Sequence, residues 1–569
     1  MSLTKLENHL VLLDFFKGLF CSYLLQIKTQ ALLYFLNSGI LVIGFTKNKS
    51  LIKFNMKRIF LTLTILLIII GSCGKNLKEK HPPNIVLFFV DDMGWQDTSV
   101  NFWSQKTPFN EIYRTPNMER LAKKGVKFTN AYATPVCSPT RVSLMTGMNA
   151  ARHRVTNWTL RPDQKQPMEL DHPSLIFPDW NFNGLGLNPS TPNTVYSKPL
   201  PQLLSENGYY TIHAGKAHFG AIGYPSSNPL NLGFDVNIAG HAAGAPGSYL
   251  GLENFGNGNP DREVWAVPGL EKYYGQDIFL TEALTQEVFS ALDQHVQKNQ
   301  PFFLYFSLYG IHTPLMANDR YVEPYRKMGL EEPEVRYASM IESMDKALGN
   351  LMDYLEENQL EKNTAILFMS DNGGLSAVAR GGEKHTHNMP LKSGKGSIYE
   401  GGIRVPMLAY WPNKTQAESI NSTPLIIEDF FPSILEMAQI DTDDFPQTID
   451  GQSFVSLLQN NTESKINRPL FWHYPNEWGP EGPGIGSYSA VRQGDWKLIY
   501  FHINKTLELY NLKRDIKENL NLLSSDYEKA KQLAIKLTQH LINVNAQMPS
   551  DKLTKEIIPY PSNLAYFKE

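Results

Sequence analysis

Three runs of the chain are almost wholly apolar, Asn84–Val90, Phe302–Ser307 and Thr364–Ser370. A strand with one face in water alternates apolar and polar residues, so unbroken runs predict strands buried on both faces of a parallel sheet. Between the last two runs, from Glu334 to Asn358, Met340, Met344, Leu348, Leu351 and Leu355 fall at helical spacing. Strand, helix and strand in that order make a βαβ unit. A further helix is expected over Thr115–Lys124. The pattern predicts an α/β fold over residues 84–411, with a large, mostly parallel central sheet flanked by helices. The segments Pro162–Pro199 and Gly220–Pro268 are rich in Gly, Pro and Asn and read as long loops that carry recognition. After Trp411 the pattern changes to short strands, Trp496–Phe501 and Leu507–Tyr510, and a helix over Asp526–Asn543. Residues 412–569 are expected to form a smaller α+β domain with a short antiparallel sheet. No internal repeat is evident.

The N-terminal pattern reads as processing information. Met56-Lys57-Arg58 is followed by an apolar stretch, Ile59–Ile70, and then by Gly71-Ser72-Cys73. A short basic segment, a short apolar segment and small residues at the end make a secretory leader, and the stretch is too short to span a bilayer comfortably. It resembles a bacterial lipoprotein signal over 56–72, which implies lipidation of Cys73 and an anchor in the cell envelope, in the periplasm or on the outer membrane. Residues 1–55 would then be an extension upstream of the true start, Met56. Residues 73–83 read as a flexible tether with Lys75, Lys78 and Lys80. No acidic run follows Cys73, which favours the periplasm over the cell surface. The alternative is a pair of N-terminal membrane helices, because Ala31–Phe45 is also apolar.

Composition narrows the function. The chain has 569 residues, a net charge of -3, 42% hydrophobic and 19% charged residues, the mixture of a globular enzyme. A nucleic-acid binder normally needs a basic excess to pair with phosphates, and there is none. The three cysteines, Cys21, Cys73 and Cys137, stand in unrelated contexts, which argues against a disulfide framework.

Two of the apolar runs end in acids: Asn84–Val90 leads into Asp91-Asp92, and Thr364–Ser370 into Asp371-Asn372. Either pair alone fits a helix cap or a turn. Open α/β sheets, however, bind ligands beyond the carboxyl ends of their strands. Were the two strands neighbours, three carboxylates and an amide oxygen would converge, an arrangement that needs a cation. An all-oxygen donor set suits a hard ion, calcium first and magnesium second.

The string Cys137-Ser138-Pro139-Thr140-Arg141, continued to Gly147, resembles the signature of the type I sulfatase family of the alkaline phosphatase-like superfamily. Gly215–Gly220 is similar to a second family motif, with Ala217 and Phe219 in place of its usual Trp and Leu. Gly310–Pro314 resembles a third, Gly394–Pro406 matches the family's second signature, and Asp495–Leu498 its C-terminal strand. The departures leave each charged residue in place.

The resemblance implies that Cys137 is oxidised by a maturing enzyme to formylglycine, whose hydrate carries two hydroxyls on one carbon. It implies that Asp91, Asp92, Cys137, Asp371 and Asn372 hold the cation, and that Arg141 and Lys216 stabilise the diol. Asp371 would be the base at the attacking hydroxyl. His312, with Lys395 beside it, would bind sulfate and protonate the leaving oxygen, and His218 would take the proton from the second hydroxyl so that sulfate departs. The implied substrates are sulfated oligo- or polysaccharides such as ulvan, carrageenan or glycosaminoglycan fragments. Candidates for binding the sugar are Arg380, His385 and His387, with Trp95, His473 and Trp478 as further possibilities. Two rivals stand beside this reading. One is a phosphodiester or phosphonate monoester hydrolase of the same superfamily, which Asn372 disfavours, since those relatives typically place His there. The other is a non-catalytic glycan-binding lipoprotein, whose expected loss of a nucleophile or ligand is absent.

Overall fold

The computed structural model describes residues 82–295, 300–441, 445–460 and 467–567. The upstream extension, the leader, Cys73 and most of the tether lie outside the described residues. Among the described residues no helix is long and apolar enough to cross a membrane.

The central sheet is built on strand β1 (Asn84–Val90), all of whose residues are buried. Ile85, Leu87 and Phe89 enter one hydrophobic cluster, whereas Val86, Phe88 and Val90 enter another on the opposite face. Both faces are covered, which is why the run shows no alternation. The other strands are β2 (Val126–Tyr132), β3 (Tyr210–Gly215), β4 (Val236–Ile238), β5 (Phe302–Ser307), β6 (Thr364–Ser370), β7 (Arg404–Tyr410), β8 (Ser419–Asn421) and β9 (Leu425–Ile426). Among the described residues these form a nine-stranded sheet in the order β8-β2-β7-β6-β1-β5-β3-β4, with β9 also on β2. Only β7 runs against the rest. This is the mostly parallel α/β sheet expected from the sequence.

Helix α1 (Pro116–Lys124) follows its N-cap Thr115 and so begins one residue later than the expected Thr115–Lys124. Helix α2 (Cys137–Thr146) is buried along its whole length. Together with α5 (Phe430–Met437) it covers the face that takes Ile85, Leu87 and Phe89. Helices α3 (Leu280–Asp293) and α4 (Glu332–Glu357) cover the other. The predicted βαβ unit is β5-α4-β6, and β1 lies between its two strands.

Strands β10 (Pro469–Tyr474), β11 (Tyr488–Gln493), β12 (Trp496–Phe501) and β13 (Thr506–Asn511) form a separate antiparallel sheet. Its outer face packs on α6 (Tyr527–Asn543) through Val491, Leu498 and Leu509 against Leu533, Leu537 and Leu541. Lys497 of β12 ties this sheet to the segment before β7. Its buried Nζ donates to the Ile398 carbonyl at 2.8 Å and to Glu400 and Glu518 at 2.9 Å each. Removing one partner of a buried charge cluster leaves the others uncompensated, a cost of about 3–5 kcal/mol. Lys497→Met is therefore expected to lower stability by about that amount in urea unfolding. An unchanged midpoint would show that this clamp does not hold the two sheets together.

Candidate active site

The site is assembled by strand register. Strands β1 and β6 pair in parallel from Asn84 opposite Thr364 to Val90 opposite Ser370, so Asp91-Asp92 and Asp371-Asn372 leave the sheet side by side. On the other side β5 and β3 align with Ser307 opposite Gly215, which brings Lys216 and the Leu308–His312 turn to the same edge. Gly215 has φ +97°, and a Cβ there would lie 2.0 Å from the Ser307 carbonyl oxygen, so the chain can bend towards Lys216 only with glycine at this position. Cys137 enters from the first turn of α2, a turn pinned by Thr134 and Thr140, whose hydroxyls are 2.7 Å apart.

A chain of charge pairs fills the floor. Arg141 donates from Nε and Nη2 to Asp371 Oδ2 at 3.0 and 2.8 Å, and from Nη1 to the Lys216 carbonyl at 2.9 Å and Ser307 Oγ at 2.6 Å. Lys216 Nζ donates to Asp91 Oδ2 at 2.6 Å, and Lys395 Nζ lies 2.6 Å from Asp92 Oδ1. Asn372 Nδ2 also donates to Asp92 Oδ1, at 2.8 Å. Burial alone would raise the Asp92 carboxyl, but Lys395, His312 and Lys216 hold it well below the usual carboxylate range. Burial and the neighbouring Asp371 push Asp91 the other way, well above that range, because two desolvated carboxylates share one corner. Burial works against the Lys395 charge as well, and Asp92 more than offsets it.

This corner fits a divalent cation. Asp91 Oδ1, Asp92 Oδ2 and Asn372 Oδ1 are buried and have no hydrogen-bond partner, whereas buried polar atoms normally find one. Ligand atoms of Asp91, Cys137 and Asp371 lie within 4.8 Å of one another, as do those of Asp91, Asp92 and His312. Orphaned oxygens pointing into a shared space suit a hard ion.

The two histidines are held as different tautomers. His218 Nε2 lies 2.7 Å from the Thr159 carbonyl, which can only accept, so Nε2 carries the proton and the buried, unpartnered Nδ1 is a free base. Burial, then Lys216 and Arg141, keep the ring neutral by holding its pKa well below the usual value. Thr159 N in turn donates to Ser138 Oγ at 3.1 Å, which ties this base to the turn that carries Cys137. Gly244 abuts the same ring: a Cβ there would lie 2.4 Å from His218 Cε1. His312 donates instead from Nδ1 to the Thr313 carbonyl at 2.8 Å, leaving Nε2 facing Asp92 Oδ2 at 3.8 Å. Burial and Lys395 lower its pKa to about 3. The Cys137 thiol is 3% exposed, and burial raises its pKa despite Lys216 and Lys395. An unmodified thiol here stays protonated and is a poor nucleophile.

Above the floor opens a cleft of about 520 Å³, lined by Cys137, His218, His312 and Lys395 at its base and by Trp158, Arg262, Trp265 and Trp478 on its walls. Of the sugar-binding candidates, Trp478 lines it. Arg380 is taken up elsewhere: it donates to both oxygens of Glu334, at 3.0 and 2.8 Å, and stacks 3.8 Å from the Tyr337 ring centroid. His387 is buried with Nε2 2.6 Å from the Gly381 carbonyl, and His385 is half-buried with its ring against Gly482. His473 is locked between Ser489 and the Gln547 carbonyl, and Trp95 is covered by the Arg404 guanidinium. Trp158, Arg262 and Trp265 were missed from sequence; the signal available was two tryptophans and an arginine within or beside loops rich in Gly, Pro and Asn.

Two lysines, a buried arginine and a cation corner in one small cleft favour an anionic ester over a neutral one, and the sheet that carries them is of the alkaline phosphatase-like kind. The sulfatase family profile matches residues 83–440, and that of the N-sulphoglucosamine sulphohydrolase C-terminal region matches residues 393–547. The chain belongs to the sulfatase family and is a sulfuric ester hydrolase. It is 27% identical to a sulfatase of Formosa agariphila over 91% of this chain and 98% of that one. It is 30% identical to N-acetylgalactosamine-6-sulfatase of Mus musculus over 70% of this chain and 69% of that one. Among solved structures, that of Ps i-CgsB superposes with a TM-score of 0.65 at 27% identity, over 82% of this chain and 94% of that one. The same protein is also solved in complex with k-i-k-neocarrahexaose.

Proposed function

We propose that the protein removes sulfate from carbohydrates, as oligosaccharides of the ulvan, carrageenan or glycosaminoglycan kind, using a formylglycine made from Cys137 and a calcium ion held by Asp91, Asp92, Asp371 and Asn372. The observation that carries this reading is the unpartnered Nδ1 of His218, a neutral base buried on the floor that Cys137 shares. Leaving a buried acceptor without a partner costs stability, so a ring held in this way is placed for a donor that the reaction brings. The names of the relatives support a sugar substrate: one acts on N-acetylgalactosamine 6-sulfate, and one structure holds a neocarrahexaose.

A hydrated formylglycine at position 137 would supply one hydroxyl for attack on sulfur and a second for the release of sulfate. Bound calcium would neutralise sulfate oxygens and acidify the attacking hydroxyl. The chain's own residues do the rest. Lys395 and His312 meet the sulfate oxygens. An anion set between them offsets the Lys395 charge and favours the His312 imidazolium, which then protonates the leaving oxygen from Nε2. Asp371, with one oxygen held by the Arg141 fork, takes the proton of the attacking hydroxyl. His218 Nδ1 takes the second proton, and Thr159 keeps the ring turned for it. We also propose that Cys73 carries a lipid that anchors the enzyme in the cell envelope.

A panel of defined sulfated oligosaccharides, with chromatographic detection of released sulfate, tests the substrate class, and parallel assays with aryl sulfate and aryl phosphonate esters test the ester. Sulfate release from at least one sugar, with aryl sulfate hydrolysed faster than aryl phosphonate, is expected. A preference for the phosphonate would overturn the reading.

A further inference from the structure

The Gly244–Trp265 wall of the cleft carries an arginine that uses only one of its three guanidinium nitrogens for hydrogen bonds among the described residues. Arg262 Nη1 donates to the Gly247 carbonyl at 3.2 Å and to Glu253 Oε2 at 2.8 Å. Its Nε and Nη2, the edge that grips an acid group with two parallel bonds, have no partner among the described residues. The side chain is 42% exposed and lines the cleft. A solvated arginine on a loose loop would be unremarkable, but this one is braced. Gly247 N donates to the Trp265 carbonyl at 2.6 Å, Trp265 N to the Arg262 carbonyl at 2.8 Å, and Arg262 N to the Asn259 carbonyl at 3.0 Å. The same wall begins at Gly244, packed on the His218 ring, so Arg262 and Trp265 are built into the structure that surrounds the base. The same cleft is lined by Trp158, next in sequence to the Thr159 that positions His218, and by Trp478. Indole faces suit the C–H faces of a sugar ring, and a free guanidinium fork suits a planar or tetrahedral acid.

We infer that Arg262 binds a second sulfate ester on the sugar chain whose scissile sulfate lies at Lys395 and His312, with Trp265 as the neighbouring ring platform. The enzyme then selects multiply acidic oligosaccharides over singly sulfated ones. This rests on the sulfatase reading above and adds a selectivity to it. A pocket of this size holds a short piece of chain, and the second group is placed on the adjacent ring.

The test uses matched pairs of synthetic sulfated galactosyl and N-acetylgalactosaminyl disaccharides that share the scissile sulfate and differ by a second sulfate on the neighbouring ring. The wild-type enzyme is expected to show a kcat/KM roughly ten- to a hundredfold higher for the doubly sulfated member, the usual worth of hydrogen bonds to a charged group. In Arg262→Gln that ratio falls to near one, mainly through KM. In Arg262→Lys, which keeps the charge and loses the fork, it is intermediate. Equal wild-type rates on both members, or a ratio that survives Arg262→Gln, would overturn this inference and leave the sulfatase reading standing. No sulfate release from any member by the mature wild-type enzyme would overturn both.

Discussion

Cys137→Ser loses steady-state sulfate release by on the order of 10⁴-fold or more, the scale seen when a nucleophile is removed from a constellation that acts as a unit. Cys137→Ala behaves alike in steady state. The two variants differ in a single turnover. A serine hydroxyl can still attack sulfur and release one equivalent of alcohol, but it has no second hydroxyl from which His218 Nδ1 could take a proton, so the sulfated enzyme accumulates. Alanine gives no such burst. Both variants keep the fold, because the Sγ makes no hydrogen bond that α2 depends on and the Thr134–Thr140 pair still pins the turn. Rapid-quench assays with an aryl sulfate, beside thermal melts, make the check. Wild-type-like turnover in either variant would remove Cys137 from the mechanism.

Asp371→Asn has the second largest effect. Its carboxylate holds the Arg141 fork and lies in the cation corner, and in the proposed mechanism it is also the base at the attacking hydroxyl. The isosteric amide keeps the shape, gives up a charge beside a fully buried arginine and removes the base. A fall in kcat/KM on the order of 10³-fold or more is expected from the loss of electrostatic stabilisation and of cation affinity together. Removing divalent ions from the wild-type enzyme with a chelator should abolish activity, and calcium should restore it better than magnesium. The melting temperature of the wild-type protein should rise with added calcium, since a ligand that binds only the folded state stabilises it, whereas that of Asp371→Asn should rise much less. A chelated wild-type enzyme with full activity would contradict the cation corner.

The sheet and the set of polar residues that meets at its edge were legible because their signals are local and strong. After Asn84 the run Ile85–Val90 has no polar position, the pattern of a strand buried on both faces. The convergence of Asp91-Asp92 with Asp371-Asn372 was conditional on two strands being neighbours, and the in-register pairing of β1 with β6 supplies that condition. The sugar side of the site was poorly legible. Arg380 sits in a glycine-bordered segment and looks free in sequence; its partners Glu334 and Tyr337 are contributed by the start of α4, dozens of positions away. Arg262 and Trp265 lie in a loop with no periodicity to interpret, and only the fold brings them to the cleft that holds Cys137. The lysine clamp at Lys497 was matched as motif, yet its link to Glu400 and Glu518 depends on packing between two sheets.

The claim on which the chemistry rests is that the side chain at position 137 is no longer a thiol in active enzyme. Mass spectrometry of the peptide that spans Cys137, taken from protein made with and without a maturing enzyme, tests it most directly. The aldehyde or its hydrate is expected, in a fraction that rises in proportion to specific activity across preparations. Fully active protein whose peptide carries only the unaltered thiol would contradict it.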